Sequence, residues 1–208
     1  MKISIYNRYM KNGYFIVFEG IDGSGKGTQL HRLSDWFWDN TFEQVEVGTE
    51  PTGDYIGNFI RKALSGEAKI KDNRIMAGLF LADRANHQNV IQRCVHNRTW
   101  YLCDRYYYSN MAYNSSDDLT MEEIEEMNSQ FRKPDICFYI DIPVDVALDR
   151  IGSRLNRDIY ESEEYLIKVK NNYEKIIEKC SMIRIDGNRP EEVVFNDILK
   201  HVKNLASL

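Results

Sequence analysis

The chain has 208 residues, of which 43% are hydrophobic and 28% charged, with a formal net charge of −5. That length suits one sizeable domain rather than two, and nothing in the composition is fibrous or low in complexity. The basic residues are spread out with no polybasic block, which speaks against a dedicated nucleic-acid binder, and no apolar run approaches the roughly 18 residues that span a bilayer.

Residues 1–13 carry Lys2, Arg8 and Lys11 but neither an apolar stretch nor a small-residue cleavage site, so they do not read as a signal peptide. They are expected to form an extension outside the core, with Met10 as an alternative start. Residues 14–208 are expected to form a single domain.

Tyr14 to Phe18 is a short apolar run that reads as a buried strand. A glycine-rich turn over Gly20 to Gly25 leads into a helix from Lys26 to about Asn40. Val45 to Thr49 reads as a strand, and Tyr55 to Leu64 as a helix stopping at Gly66. Asp72 to about Asn97 has helical spacing, and Trp100 to Cys103 is a third strand. Thr120 with Glu123 forms a capping-box start for a helix reaching about Gln130. Ile136 to Ile142 is a strand with a helix over Val144 to Gly152 behind it, and Ser162 to Lys179 reads as another helix. Met182 to Ile185 is the last strand, before a helix that Pro190 opens. Strands alternating with helices predict a parallel α/β sheet covered on both faces, with ligands beyond the carboxyl ends of the strands.

The run Gly20-Ile21-Asp22-Gly23-Ser24-Gly25-Lys26-Gly27-Thr28 follows a strand and opens a helix, the context a phosphate-binding loop requires. Backbone N–H groups and the helix N-terminus would cradle phosphate oxygens, and Lys26 would reach the β- and γ-phosphates of ATP. A hydroxyl residue that would ligate Mg²⁺ is expected directly after the lysine. Gly27 stands there, with Thr28 one place later. No Asn-Lys-x-Asp tetrad for guanine occurs, which lowers a GTPase reading.

The four cysteines, Cys94, Cys103, Cys137 and Cys180, have no C-x-x-C pairing. They read as free thiols of a reducing, cytoplasmic compartment. The four histidines have no metal-ligand spacing.

Taken singly, other residues have plain structural readings. Phe80 is a core residue of an amphipathic helix, Arg84 an ion-pair partner of Asp83 or another acid, and Asp104-Arg105 a salt bridge. Taken together, they resemble thymidylate kinases. The motifs that carry the resemblance are Phe18-Glu19-Gly20 with the phosphate loop, Glu50-Pro51-Thr52-Gly53, Phe80-Leu81-Ala82-Asp83-Arg84, Asp104 to Tyr113, and Lys133-Pro134-Asp135. The similarity runs from about Tyr14 to the C-terminus.

The resemblance implies a P-loop NTPase three-layer sandwich with a five-stranded parallel sheet. It implies transfer of the γ-phosphate of ATP to dTMP with Mg²⁺, and a homodimer formed through the face carrying the long helix. Phe80 would stack on the base, Arg84 would donate to its O4, and Asn110 would offer its amide to the N3/O4 edge. Tyr113 would exclude a ribose 2′-hydroxyl, and Asp22 would accept from the 3′-hydroxyl and sit near Mg²⁺. Arg105 would bind the acceptor phosphate, with Pro51, Ser109 and Tyr160 also at the substrate. A lid at about 150–161 would supply Arg150, Arg154 and Arg157, with Glu161 helping to hold Mg²⁺. Gly23 beside Asp22, with basic residues in the lid, matches the mostly bacterial pattern of the family.

Thr49 stands where bacterial relatives often carry an arginine, so one phosphate contact would be missing or supplied elsewhere. Gly25-Lys26-Gly27-Thr28-Gln29 resembles adenylate kinases instead. A kinase for AMP, UMP or mixed deoxynucleotides, or a nucleotide-binding protein without catalysis, are the alternatives.

Overall fold

Strand β1 (Phe15–Glu19) is buried along its whole length and lies at the centre of the sheet. A continuous apolar run of this kind needs cover on both faces. The computed structural model describes residues 13–152 and 162–206. In chain order the further elements are α1 (Lys26–Asn40), β2 (Val45–Thr49), α2 (Tyr55–Leu64), α3 (Asn73–His96), β3 (Trp100–Asp104), α4 (Tyr107–Asn114) and α5 (Met121–Asn128). They continue as β4 (Ile136–Asp141), α6 (Val144–Gly152), α7 (Glu163–Cys180), β5 (Ile183–Asp186) and α8 (Glu191–Ala206).

The five strands are all parallel, in the order β2-β3-β1-β4-β5. Alternation along β1 sends Phe15 and Val17 to one face and Ile16 and Phe18 to the other. The first face packs on α3 to α7, through residues such as Ile91, Met111, Ile124, Ile151 and Tyr173. The second packs on α1 and α8, through Leu30, Phe37, Phe195 and Ile198. This is the three-layer α/β sandwich that the alternating pattern predicts.

Element limits agree with the sequence pattern to within about two residues, and the capping box of Thr120 and Glu123 is formed at α5. The pattern assigned no element to Tyr107–Asn114. All eight residues of that helix are buried, so no polar face exists to reveal a helical period. Gly13 belongs to the ordered fold: its N–H donates to Val95 O at 2.8 Å, and a Cβ there would lie 2.0 Å from Thr99 O. Residues 1–12, and most of the expected lid with Arg154, Arg157, Tyr160 and Glu161, lie outside the described residues.

Candidate active site

Beyond the carboxyl ends of β1 and β3 lies a cavity of about 950 Å³. One wall is the phosphate loop between β1 and α1, contributing Asp22, Gly23, Gly25, Lys26, Gly27 and Thr28. Gly23 has φ 79°, and a Cβ there would meet Ala147 O at 2.6 Å, so the turn requires glycine on both counts. Gly20 and Ser24 complete the loop, and Ser24 Oγ is buried without a hydrogen-bond partner. Lys26, the first residue of α1, is buried, with Nζ 3.4 Å from Ile21 O and 3.9 Å from Asp22 Oδ1. Burial and the nearby Arg105 cation depress its pKa, against the opposing pull of Asp104, Asp22 and Glu19.

Arg105 faces this loop from the end of β3. Its φ is 71°, a left-handed conformation that costs an arginine on the order of 1–3 kcal/mol and persists only where the surroundings impose it. Here its N–H is held by Phe18 O at 2.9 Å. Its guanidinium donates through Nη2 to Asp22 Oδ1 at 2.7 Å and to the Tyr113 hydroxyl at 3.2 Å. Nη1 donates to Ser109 Oγ at 2.8 Å, and the group stacks 4.9 Å over the Tyr113 ring. The Tyr113 hydroxyl in turn donates to Asp22 Oδ2 at 3.3 Å. Burial alone would raise the Asp22 pKa. The charges of Arg105 and Lys26 outweigh it and hold the carboxyl well below its usual range. Arg105 therefore pairs with Asp22, across 83 residues, rather than with its neighbour Asp104.

Asp104 does not form the salt bridge with Arg105 that the sequence suggests. It lines the cavity, with Oδ1 buried and without a partner and Oδ2 3.3 Å from where a Cβ of Gly27 would stand. The space that a hydroxyl residue at position 27 would fill thus belongs to this carboxylate.

The opposite wall comes from Glu50 and Pro51, from Phe80 on α3, and from α2 with Asn58, Arg61 and Lys62. Arg61 donates to the carbonyls of Pro51 and Thr52. It is a cation at the site that sequence motifs did not mark. Asp83 anchors the same turn, accepting from Thr52 N at 2.7 Å and Thr52 Oγ1 at 2.6 Å.

Two expected base contacts, Arg84 and Asn110, have partners within the protein. Arg84 is fully buried and outside the cavity wall. It is held by Glu50 Oε2 at 2.8 Å and Asn128 Oδ1 at 2.6 Å, and sits 5.1 Å over the Tyr106 ring. Nε and Nη1 are thus engaged, while Nη2 lies beside Glu50 Oε2 without a hydrogen-bond partner. Asn110 is likewise buried, its Nδ2 donating to Ala77 O at 3.3 Å and its Oδ1 accepting from Asn114 Nδ2 at 3.1 Å. Asn114, one turn on, does line the cavity. Because Ala77 O requires a donor from Asn110, the Asn110 oxygen must face Asn114. That orientation leaves Asn114 Oδ1 as the carboxamide atom without a partner.

Arg150, on α6, reaches the phosphate loop and donates to Gly23 O at 3.2 Å.

The thymidylate kinase family model matches residues 18–198. The chain belongs to the thymidylate kinase family. A probable thymidylate kinase of Methanocaldococcus jannaschii is 38% identical over 200 residues, covering 94% of this chain and 99% of the relative. A thymidylate kinase of Leptospira interrogans is 36% identical, covering 91% and 94% of the two chains. The solved structure of thymidylate kinase from Candida albicans superposes with a TM-score of 0.78 at 22% identity, over 93% of this chain and 92% of that one, a likeness of fold. Family membership accounts for the joint occurrence of the phosphate loop, the Glu50–Gly53 turn and the Asp104–Tyr113 block on one cavity.

Proposed function

We propose that the protein transfers the γ-phosphate of ATP to dTMP, giving dTDP and ADP. The observation that carries this reading is the placement of Arg105 against Asp22, 2.7 Å apart, within a cavity that Lys26 lines on one side and Phe80 on the other. In this reading ATP phosphates lie along the loop at Lys26, and the acceptor phosphate lies at Arg105. Phe80 offers a flat apolar face to the base, and Pro51, Arg61 and Ser109 border the acceptor. Asn114 Oδ1 suits the N3–H of thymine, a donor meeting an orphan acceptor. In this reading Tyr113, whose hydroxyl bonds Asp22, would crowd a 2′-hydroxyl.

The acceptor oxygen of a monophosphate is already anionic, so no general base is required. Catalysis reduces to bringing two anions in line and neutralising the charge shared by the transferring group. Lys26 and Arg105 supply two cations. Arg150, with Arg154 and Arg157 beyond the described residues, supplies guanidinium groups, whose planar fork matches phosphoryl oxygens.

The donor set suits Mg²⁺: Asp104 and Asp22 are carboxylates on the cavity, and Asp104 Oδ1 is a buried oxygen without a hydrogen-bond partner. Among the described residues no group of three or more acidic, His or Cys side chains could hold a metal by itself. The ion would therefore draw further ligands from phosphates, water and Glu161. When bound it would neutralise charge on the phosphates.

Homodimerisation is supported by Tyr55, Phe59 and Ile75, exposed apolar side chains on α2 and α3. Cys94, Cys103, Cys137 and Cys180 are free thiols, which supports a reducing, cytoplasmic setting. Among the described residues no helix is long and apolar enough to cross a membrane.

A coupled ADP-release assay with dTMP, dUMP, AMP, UMP and GMP tests the proposal. Preference for dTMP is expected, and a preference for AMP or UMP would overturn it.

A further inference from the structure

Glu19, the last residue of β1, is fully buried next to the site; it does not line the cavity itself but reaches it through Ser109, which does. Burial pushes its pKa up, opposed by Arg105 and by hydrogen bonds from Ser109, Tyr173 and Tyr106. Its oxygens receive four donors. Oε1 accepts from Tyr106 N at 2.8 Å and Ser109 N at 3.2 Å. Oε2 accepts from Ser109 Oγ at 2.6 Å and the Tyr173 hydroxyl at 2.8 Å.

An ionised Glu19 can accept all four without donating. Ser109 has one hydroxyl proton and two acceptors in reach, Glu19 Oε2 at 2.6 Å and the Tyr173 hydroxyl at 3.0 Å; giving it to Glu19 turns the lone pairs of Oγ towards Arg105 Nη1, 2.8 Å away. The same two backbone bonds hold the start of α4, where Arg105 makes its left-handed turn.

We propose that Glu19 is a positioning residue for Arg105. It is a buried anion that fixes the direction of the Ser109 proton, and with it the orientation of the guanidinium that meets the acceptor phosphate. This rests on the reading of Arg105 given above. A glutamine at position 19 has nearly the same shape, but its amide group presents a donor where two donors already point. Either the backbone pair or the Ser109–Tyr173 pair must turn away, and Arg105 loses a fixed acceptor.

The test is steady-state kinetics of Glu19→Gln, Ser109→Ala and the double variant, with ATP affinity and thermal melting measured on each. Glu19→Gln is expected to lower kcat/KM for dTMP at least tenfold with the Kd for ATP within twofold of wild type. Ser109→Ala is expected to lose a similar factor, and the double variant no more than the larger single loss. Losses that multiply in the double variant would overturn the proposal, as would equal losses in ATP affinity. If Glu19→Gln does not fold, Ser109→Ala answers alone: it leaves both backbone bonds to Glu19 in place, and normal dTMP turnover in it would sink the relay. A wild-type chain inactive on dTMP would overturn the functional reading. An active wild type with an unimpaired, folded Glu19→Gln would overturn this inference only.

Discussion

Arg84 and Glu50 form a fully enclosed ion pair, with Nη2 2.6 Å from Oε2 and side-chain exposures of 0% and 2%. Glu50 also meets His87 Nδ1 at 2.9 Å, and His87 Nε2 meets the Tyr101 hydroxyl at 2.6 Å. The turn that walls the acceptor pocket is thus tied to α3 by charge. Removing Arg84 leaves Glu50 buried with only His87 beside it, and breaking a buried pair of this kind costs about 3–5 kcal/mol. Arg84→Met is therefore expected to lower the urea midpoint strongly, and the double variant with Glu50→Gln to recover part of the loss. Chemical denaturation of the three variants checks this, and a purely ligand-directed arginine would leave stability unchanged.

Arg105→Ala should keep the fold and lose turnover by a factor on the order of 10²–10³, the range for removing one preorganised electrostatic contact. Arg105→Lys should recover little, because one ammonium cannot meet Asp22 and Ser109 in the fork geometry seen here. Single-turnover rates with dTMP decide it, and near-normal activity of Arg105→Ala would remove the clamp.

Tyr113→Ala opens space beside Asp22. Discrimination between deoxyribo- and ribonucleoside monophosphates should fall roughly tenfold, in keeping with the 1–3 kcal/mol scale of pocket-shape discrimination. The ratio of kcat/KM values for dTMP and its ribo counterpart measures this, and an unchanged ratio contradicts the assignment.

Asn114→Leu removes the orphan acceptor while roughly keeping the volume. The loss in kcat/KM should fall on dTMP, whose N3 carries a proton, and much less on dCMP, whose N3 does not. Equal effects on both bases would show that Asn114 does not read that edge.

Asp22 has a folded-state pKa below the ordinary carboxylate value of 3.8, owing to Arg105 and Lys26. A depressed carboxylate contributes stability that is fully present above the unfolded value and disappears as pH falls through the folded one. Stability of the wild type should therefore decline below about pH 4, and Asp22→Asn should flatten that decline. Urea midpoints from pH 2 to 7 give the comparison, and parallel curves would exclude Asp22 as a contributor.

How far the site could be read in advance follows the range of its contacts. Lys26, Asp22, Gly23 and the start of α1 are contiguous, and the local order of strand, glycines, lysine and helix dictates how they sit. Arg61 and Asn114 have no signature in the sequence, because a helical arginine and an asparagine mean nothing apart from what faces them, and Asp104 lies in a recognisable motif that does not say which partner it faces. Arg84 shows the converse: its spacing from Phe80 put both on one stretch of helix, yet its side chain is taken by Glu50 and Asn128, which approach from elsewhere in the fold.

The order of elements, the parallel sheet and the phosphate loop were determined by the chain's own sequence, because apolar period and turn chemistry act over a few residues. The partners of Arg105, Arg84 and Glu19 were decided only when β1, β3 and α3 came together. A buried charge chooses among the counter-charges that packing brings within about 3 Å, and those lie tens of residues away along the chain.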